Sequence, residues 1–321
     1  AVKLINGKYR FALTGTPIEN SLAELWSIFD FLMPQYLYNY HHFKETYEIP
    51  IIKNEDQEKQ AKLKRFVEPF ILRRTKKDVL TELPDKIENN VLIPFTPDEE
   101  KVYLANLSTI NTELQSAIQV NHIDKIQILA MMTRLRQLCC DQRILYNNVQ
   151  EPSSKLKACM DIIETAKENE QKILLFSSFT KSLDLIEAEL RKKDISYYVL
   201  TGATTKIKRH QLVNAFQNDK TTVFLISLKA GGTGLNLTSA STVIHFDPWW
   251  NMSAQNQATD RAYRIGQTNN VQVYKLIMKN SIEEKIQKLQ EQKQDLSNMF
   301  IENNHGSITQ MSTADIIDLF K

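Results

Sequence analysis

The sequence predicts an α/β fold in the second half of the chain, with a parallel sheet covered by helices on both faces, preceded by a mostly helical region. Five short, nearly continuous apolar runs support the sheet, and helix-like segments separate most of them. This alternation is typical of parallel strands that are buried on both faces. The runs are Ile173–Phe176, Tyr197–Leu200, Val223–Leu228, Val243–Phe246 and Val271–Leu276.

Helical periodicity marks the segments between the strands and most of the region before them. Three helices are predicted between strands, at Leu183–Lys193, Thr205–Phe216 and Ala254–Tyr263. Two longer ones are predicted earlier, at Asp98–Gln119 and Ile123–Cys140. A final helix is predicted from Ile282, where apolar residues recur at helical spacing and form a seam.

The beginning of the chain combines strand and helix signals. Phe11–Leu13 predicts the end of a buried strand, and Val91–Pro94 a short strand further on. Ser21 with Glu24 three residues later forms a capping box, followed by an amphipathic helix that stops before Pro34. We place segment boundaries at residues 1–34, 35–152, 153–280, 281–302 and 303–321.

Composition excludes several classes of protein. The chain has 321 residues, of which 42% are hydrophobic and 24% charged, as in a globular protein with a real core. No apolar run approaches the ~18 residues that a membrane span needs. The three cysteines form no C-x-x-C pair, which favours free thiols in a reducing compartment. Without Cys/His spacing we predict no metal held by the chain, and His245, between apolar strand residues, is predicted to be a core histidine.

The run from Gln257 to Gln267, QATDRAYRIGQ, is the most informative motif. On a helix, Arg261 and Arg264 would leave the same face, with Gln257 one turn earlier. Planar, permanently charged guanidiniums suit the γ-phosphoryl group of a nucleotide. The spacing alone leaves open an ordinary pair of surface arginines in salt bridges.

This run resembles motif VI of the superfamily-2 helicase-like ATPases, and its Arg-Ile-Gly-Gln ending is similar to the SWI/SNF branch. Further segments resemble other motifs of that family, in the family's order. They are residues 13–17 (LTGTP, motif III), 70–79 (the stretch between lobes), 173–179 (motif IV), and 227–238 (motif V) followed by 247–251 (DPWWN).

The resemblance implies a RecA-like fold and an ATP-dependent translocase of double-stranded DNA, microbial in origin. Residues 1–34 would end a first RecA-like lobe, 35–152 would hold helical protrusions and the inter-lobe linker, and 153–280 would form the second lobe. A bracing helix and a tail would follow. The implied cofactor is ATP with Mg²⁺, and the implied partners are duplex DNA and a DNA-bound protein complex. We expect a monomer without a membrane partner, in the cytoplasm or nucleoid, with the nucleus as the alternative.

The resemblance also assigns roles to residues. Those implied in catalysis are Arg261, Arg264 and Gln257, and those implied in nucleotide binding are Gly232, Gly234, Asn236 and Asp260. Those implied in DNA binding are Ser177, Ser178, Lys229, Thr233, Trp250 and Arg209, and those implied in coupling the lobes are Thr14, Gly15 and Thr16.

Simpler interpretations of these residues stay open. The glycines at 231–234 also fit a tight turn from strand to helix. Ser177 and Ser178 also fit the simple end of a strand, and one of the two adjacent tryptophans is expected in the core. Arg209 also fits an ordinary surface arginine.

The phosphate loop G-x-x-x-x-G-K-[ST] is absent from the sequence, as is an Asp-Glu-x-His motif for Mg²⁺. Without a glycine-rich loop and its lysine, the β- and γ-phosphates have no cradle. We therefore expect a piece of a longer protein that does not hydrolyse ATP alone. Two rival hypotheses are a strand-separating helicase and a non-catalytic module that docks on nucleic acid or protein.

Overall fold

The computed structural model describes residues 7–14, 22–53, 56–72, 83–119, 125–231, 235–249, 252–299 and 320. The chain divides into two compact units. One comprises Ala1–Thr81 with Glu291–Ser307, and the other Glu82–Gln290 with Ile308–Lys321.

The first unit is helical in its described part. Its helices are α1 (Leu22–Leu32), α2 (Tyr40–Phe43), α3 (Ile49–Lys53) and α4 (Gln57–Val67), with a π-helical turn at Lys44–Glu48. Helix α1 buries Leu25 and Phe29, four residues apart, against Phe43 and Leu63. The predicted helix before Pro34 is thus confirmed, whereas its capping residue Ser21 lies outside the described residues.

Residues 7–14 contain no strand, contrary to the buried strand end predicted at Phe11–Leu13. The side chains of Phe11 and Leu13 are 83% and 100% exposed. A strand needs a neighbour for its backbone hydrogen bonds, and all the described strands lie in the second unit.

The second unit contains a six-stranded parallel sheet in the order β1-β6-β5-β2-β4-β3. The strands are β1 (Lys86–Ile93), β2 (Ile173–Ser177), β3 (Tyr197–Leu200), β4 (Val223–Ser227), β5 (Thr242–His245) and β6 (Val271–Met278). The helices are α5 (Pro97–Gln119), α6 (Lys125–Cys140), α7 (Ser154–Glu168), α8 (Thr180–Lys192), α9 (Lys206–Asn218), α10 (Leu228–Gly231), α11 (Met252–Thr259) and α12 (Ile282–Met299), of which the residues from Glu291 belong to the first unit.

Helices cover both faces of this sheet. Every residue of β2, β4 and β5 is buried, and alternate side chains enter different cores. Leu175 belongs to the core that includes α6 and α7, whereas Phe176 belongs to a core on the other face that includes Phe216 of α9. The predicted α/β fold, with helices on both faces of a parallel sheet, is confirmed.

The sheet extends further back along the chain than residue 153, where we predicted the α/β domain to begin. Edge strand β1 pairs with β6 from Lys86↔Val271 to Ile93↔Met278. Helices α5 and α6, which the sequence assigned to a protrusion, contribute Tyr103 and Met132 to the core beneath the sheet. Five of the eight residues of β1 are exposed and four are polar, so only its last three, apolar residues were recognisable as a strand.

The three cysteines are free, as predicted, and the structure buries all three. Burial raises the pKa of each thiol well above its ordinary value. Among the helices that the structure describes, none has the length and apolar character needed to traverse a bilayer.

Candidate nucleotide and nucleic-acid sites

The turn after α11 carries the two arginines of the most informative motif. Helix α11 ends at Thr259, before the predicted end at Tyr263. After Thr259 the backbone forms hydrogen bonds that span three residues instead of four. They run from Arg261 N to Ala258 O (3.1 Å) and from Ala262 N to Thr259 O (3.1 Å). The prediction that Arg261 and Arg264 share one helix face was therefore wrong, because both lie in turns.

This turn is anchored to the segment that precedes β5. The backbone N–H of Leu237 donates to the carbonyl of Arg261 at 2.9 Å. The side-chain amide of Gln267 donates to the carbonyls of Ala240 (2.8 Å) and Ala262 (3.2 Å). The backbone around Arg261 thus has a fixed position in the unit.

A second anchor joins the turn to the sheet from the other side. His245, the last residue of β5, places its ring Nε2 2.9 Å from the hydroxyl of Thr259. The imidazole is buried and stacks on Phe176 with ring centroids 5.7 Å apart. Burial, followed by the charge of Lys275, lowers the pKa of His245 to about 3, so the ring is neutral. The predicted core histidine is confirmed.

The two arginines differ in exposure yet lie within electrostatic reach of each other. Arg261 is 7% exposed, whereas Arg264 is exposed. Burial and then the positive charge of Arg264 lower the pKa of Arg261, and Asp260 opposes them. Two cations in one turn, one of them shielded from water, favour an incoming anion.

Other residues predicted near the nucleotide surround the same turn. Asp260 is half-buried beside Arg261, Gln257 is exposed on α11, and Asn236 is exposed next to the anchoring Leu237. Gly232, Thr233 and Gly234 lie outside the described residues. The structure thus brings Asn236, Asp260, Arg261 and Arg264 to one region.

Three of the predicted DNA-binding residues, Ser177, Ser178 and Lys229, lie where β2 and β4 end. Ser177 ends β2 opposite Ser227 of β4, and Lys229 follows on α10 with an exposed side chain. Ligands of open α/β sheets bind outside this carboxyl edge. Arg209 is half-buried on α9 and Thr14 is exposed in the first unit, whereas Gly15, Thr16 and Trp250 lie outside the described residues.

Ser177 and Ser178 have different environments. The hydroxyl of Ser177 is buried and donates to Asp247 Oδ1 at 2.5 Å. The backbone N–H of Ser178 donates to the same carboxylate at 3.0 Å, and its side chain is half-buried. Ser177 therefore makes an internal contact with Asp247, and Ser178 retains access to solvent.

The segment between β4 and β5 runs from one of these regions to the other. Helix α10 begins directly after β4, at the carboxyl edge. Leu237 and Ala240 then lie immediately ahead of β5, where Leu237 contacts Arg261. One stretch of backbone thus connects the predicted DNA-binding residues with the arginine turn.

Sequence reasoning missed Arg136 on α6, which lies at the carboxyl edge. Its guanidinium is 3.1 Å from Asp247 Oδ2, and both side chains are buried. A basic residue four positions after buried Met132 falls on the buried face of the helix. An arginine on the buried face of a helix indicates a buried acidic partner, but the sequence does not show which acidic residue that is.

The described residues do not provide a metal site. No group of three or more His, Cys, Asp or Glu side chains in the described ranges could hold a metal ion. The Mg²⁺ that the family resemblance implies therefore has no donor set of three or more such side chains in the described ranges.

Two family models match the chain in sequence. Residues 1–144 match the SNF2-related domain, and residues 154–266 match the helicase conserved C-terminal domain. An uncharacterised ATP-dependent helicase of Mycoplasma pneumoniae is 39% identical over 326 residues, covering 100% of this chain and 30% of that protein. The putative ATP-dependent helicase/translocase YwqA of Bacillus subtilis is 37% identical, with 100% and 35% covered.

Solved structures agree with these matches. The Sulfolobus solfataricus SWI2/SNF2 ATPase core in complex with dsDNA is 38% identical with a TM-score of 0.61, covering 99% of this chain and 68% of that one. The C-terminal domain of a Sulfolobus solfataricus SWI2/SNF2 ATPase is 31% identical with a TM-score of 0.59, covering 73% and 98%. The chain spans about a third of the length of the curated relatives named above. Two-thirds coverage of a solved ATPase core at this identity, with both family models matched, shows that the chain belongs to the SWI2/SNF2 family of ATPases.

Proposed function

We propose that this chain supplies the arginine-bearing half of the ATP site in an ATP-dependent translocase of double-stranded DNA. The observation that carries the proposal is the turn after α11, where buried Arg261 and exposed Arg264 lie within electrostatic reach of each other. Family membership supports the same conclusion, because the relatives are described as ATP-dependent helicases or ATPases.

The chemistry of the turn suits phosphoryl transfer. Negative charge spreads over the γ-phosphoryl oxygens in the transition state, and a guanidinium stabilises it through fixed, permanently charged donors. Arg264 is exposed and would reach the γ-phosphate, whereas Arg261 would add positive potential from a shielded position. Gln257 would orient the attacking water or the phosphate. Asn236 and Asp260 would contact the nucleotide from the same region, together with Gly232 and Gly234.

Another part of the polypeptide would supply the remaining half of the site. The sequence has no phosphate loop, and the described residues have no carboxylate cluster for Mg²⁺. We therefore assign the β-phosphate cradle and Mg²⁺ to a first lobe, and expect the 321-residue chain alone not to hydrolyse ATP. Thr14, Gly15 and Thr16 would couple that lobe to this one.

The carboxyl edge of β2 and β4 would face DNA. Ser178 and Lys229 have access to solvent there, and Thr233 and Trp250 belong to the adjoining segments. Contacts of these kinds read the DNA backbone and not its sequence, as a translocase requires. The segment from α10 to Leu237 would couple this surface to the arginine turn, and Arg209 would add a contact from α9.

A strand-separating helicase is the second candidate, favoured by the word helicase in the names of the relatives. Strand displacement by the full-length protein would distinguish the two. A translocase hydrolyses ATP on duplex DNA without producing single strands. A docking module, the third candidate, would show no hydrolysis with any nucleic acid.

The decisive experiment measures ATP hydrolysis by the full-length protein with and without duplex DNA, for wild type and Arg264→Ala. Loss of an arginine finger should lower the duplex-stimulated rate about 10³-fold or more. DNA affinity should be unchanged, because the turn that carries Arg264 bonds to Leu237 and Ala240, which precede β5. Arg191→Ala is the matched control, since Arg191 is an exposed arginine of the same unit that pairs with Glu187. Equal rates for Arg264→Ala and Arg191→Ala would refute the proposal.

A further inference from the structure

Arg136 joins two loops that leave neighbouring strands at the carboxyl edge of the sheet. Its Nη2 amino group donates to Asp247 Oδ2 (3.1 Å) and the carbonyl of Pro248 (2.9 Å), in the loop after β5. The same group lies 3.4 Å from the hydroxyl of Ser178, in the loop after β2. Asp247 in turn accepts from Ser177 and Ser178, so the two loops and the arginine form one hydrogen-bonded network.

Aromatic side chains of both loops enclose the same guanidinium. Its carbon lies 5.1 Å from the ring centroid of Phe179, in the loop after β2, and 5.3 Å from that of Trp249, in the loop after β5. A planar guanidinium stacks on aromatic rings with its flat face, whereas a lysine ammonium is a compact, strongly hydrated point charge. The contacts with the two rings therefore depend on the shape of the arginine side chain.

The helix that carries Arg136 is itself firmly placed. Met132 and Leu135 of α6 are wholly buried in the core beneath the sheet. The arginine therefore extends from a packed, buried helix to both loops. The carbonyl of Trp249 also accepts from Gln290 of α12, so that loop is held from a second side.

We infer that Arg136 is a positioning residue for DNA binding: it fixes the loops after β2 and β5 in the arrangement that contacts the duplex. This inference rests on the proposed function, since it assumes that the carboxyl edge faces DNA. Arg136 is buried, so it acts through Ser178 and the Trp249 loop and does not touch DNA itself.

The inference predicts a selective defect. When a protein holds its binding-competent arrangement only part of the time, its apparent Kd rises by the inverse of that fraction. If Arg136→Lys leaves about one molecule in ten with both loops in place, the KM for duplex DNA rises about tenfold. The turnover at saturating DNA and the DNA-free ATPase rate should stay within about twofold, because the arginine turn is unaffected.

Arg136→Lys in the full-length protein tests this, with Arg134→Lys as the matched control. Arg134 lies on the same helix and is exposed. It donates hydrogen bonds to Asn106 and Tyr146, which belong to neither loop. The KM for duplex DNA should rise for Arg136→Lys and stay at the wild-type value for Arg134→Lys. A folded Arg136→Lys protein with the wild-type KM would overturn the inference. So would an equal loss of turnover with and without DNA, which indicates a general defect.

Hydrogen–deuterium exchange separates this inference from the proposed function. Peptides covering residues 177–179 and 246–249 should exchange faster in Arg136→Lys, and those from α11 should not. If exchange changes while wild type neither binds duplex DNA nor is stimulated by it, the proposed function fails and so does the role of Arg136 in DNA binding, although Arg136 still holds the two loops. If Arg136→Lys does not fold, Phe179→Leu tests the inference instead. It removes one of the two rings that contact the guanidinium, and Phe179 is only half-buried. A wild-type KM for that variant would then overturn the inference.

Discussion

Lys155 and Glu283 form an ion pair in which both side chains are completely buried, with Nζ 2.5 Å from Oε2. They join the start of α7 to the start of α12, residues that lie 128 positions apart. Glu283 also accepts from the backbone N–H of Met278 at 2.9 Å, and Lys155 lies over the ring of Phe246. Although burial opposes it, the charge of Glu283 raises the pKa of Lys155.

Breaking this pair on one side should strongly destabilise the protein. Lys155→Met leaves a buried carboxylate without its counter-ion, which costs about 3–5 kcal/mol in comparable buried pairs. Urea denaturation measures the loss. Lys157→Met is the control, because Lys157 is exposed on the same helix.

Removing both charges should cost less than removing one. In Lys155→Met with Glu283→Gln, the amide oxygen still accepts from Met278 and no isolated charge remains. We expect the double variant to recover a large part of the lost stability. A double variant no more stable than Lys155→Met would indicate that the pair contributes packing and not charge balance.

The neutral ring of His245 makes stability depend on pH. Its pKa is about 3 in the folded protein, below its ordinary value of 6.5. The unfolded chain therefore binds a proton below about pH 6.5 that the folded chain does not bind until about pH 3. Stability should fall as the pH is lowered through this window, by up to about 1.4 kcal/mol per pH unit.

Substitution of His245 tests this dependence directly. His245→Gln keeps a hydrogen-bonding group near Thr259 and removes the titrating ring, so stability between pH 6.5 and 4 should fall less steeply than in wild type. Thermal unfolding across that range measures the slope. His210→Gln, an exposed histidine on α9, should retain the wild-type slope. A wild-type slope in His245→Gln would mean that other groups set the pH dependence.

The sheet was predictable wherever burial made the sequence uniform. Strands β2 and β4 are buried at every position, so their apolar runs stand out. Edge strand β1 has one buried residue, Ile93, and its exposed face includes Lys86 and Glu88, so no comparable run exists. Its pairing with β6, nearly two hundred residues later, leaves no local signal.

The same distinction applies to the sites. The arginine turn lies within one short motif, so its residues could be identified from the sequence, although no stop signal showed that α11 ends at Thr259. The contact between His245 and Thr259, which fixes that end, depends on the folded sheet. Arg136 and Asp247 are 111 positions apart, and only the fold shows that they are partners.

Glu88 provides a test of the edge strand. Burial would raise its pKa, but hydrogen bonds from Lys275 and Lys86 lower it to about 2. A carboxylate with a lowered pKa stabilises the fold above its unfolded value of about 4.5, and this contribution is lost as the pH falls towards 2. In Glu88→Gln, stability should therefore fall less steeply than in wild type between pH 4.5 and 2. Glu168→Gln, an exposed glutamate of α7, should not. Identical acid transitions in the two variants would count against the Glu88–Lys275 bridge.

Lys229 and Lys220 form a natural pair for locating DNA on the sheet. Lys220 precedes β4 and Lys229 follows it, so these two exposed lysines lie near opposite ends of one strand. A lysine that contacts a phosphate displaces a counter-ion. Its removal should therefore make the fall of log K with log salt concentration less steep, by about 0.9 in slope. We expect this change for Lys229→Gln and not for Lys220→Gln, measured as duplex binding by the full-length protein over a range of salt concentrations. Equal slopes for the two variants would refute the proposal that DNA binds at the carboxyl edge of the sheet. A change for Lys220→Gln alone would move the DNA to the edge near the arginine turn, where it would compete with ATP.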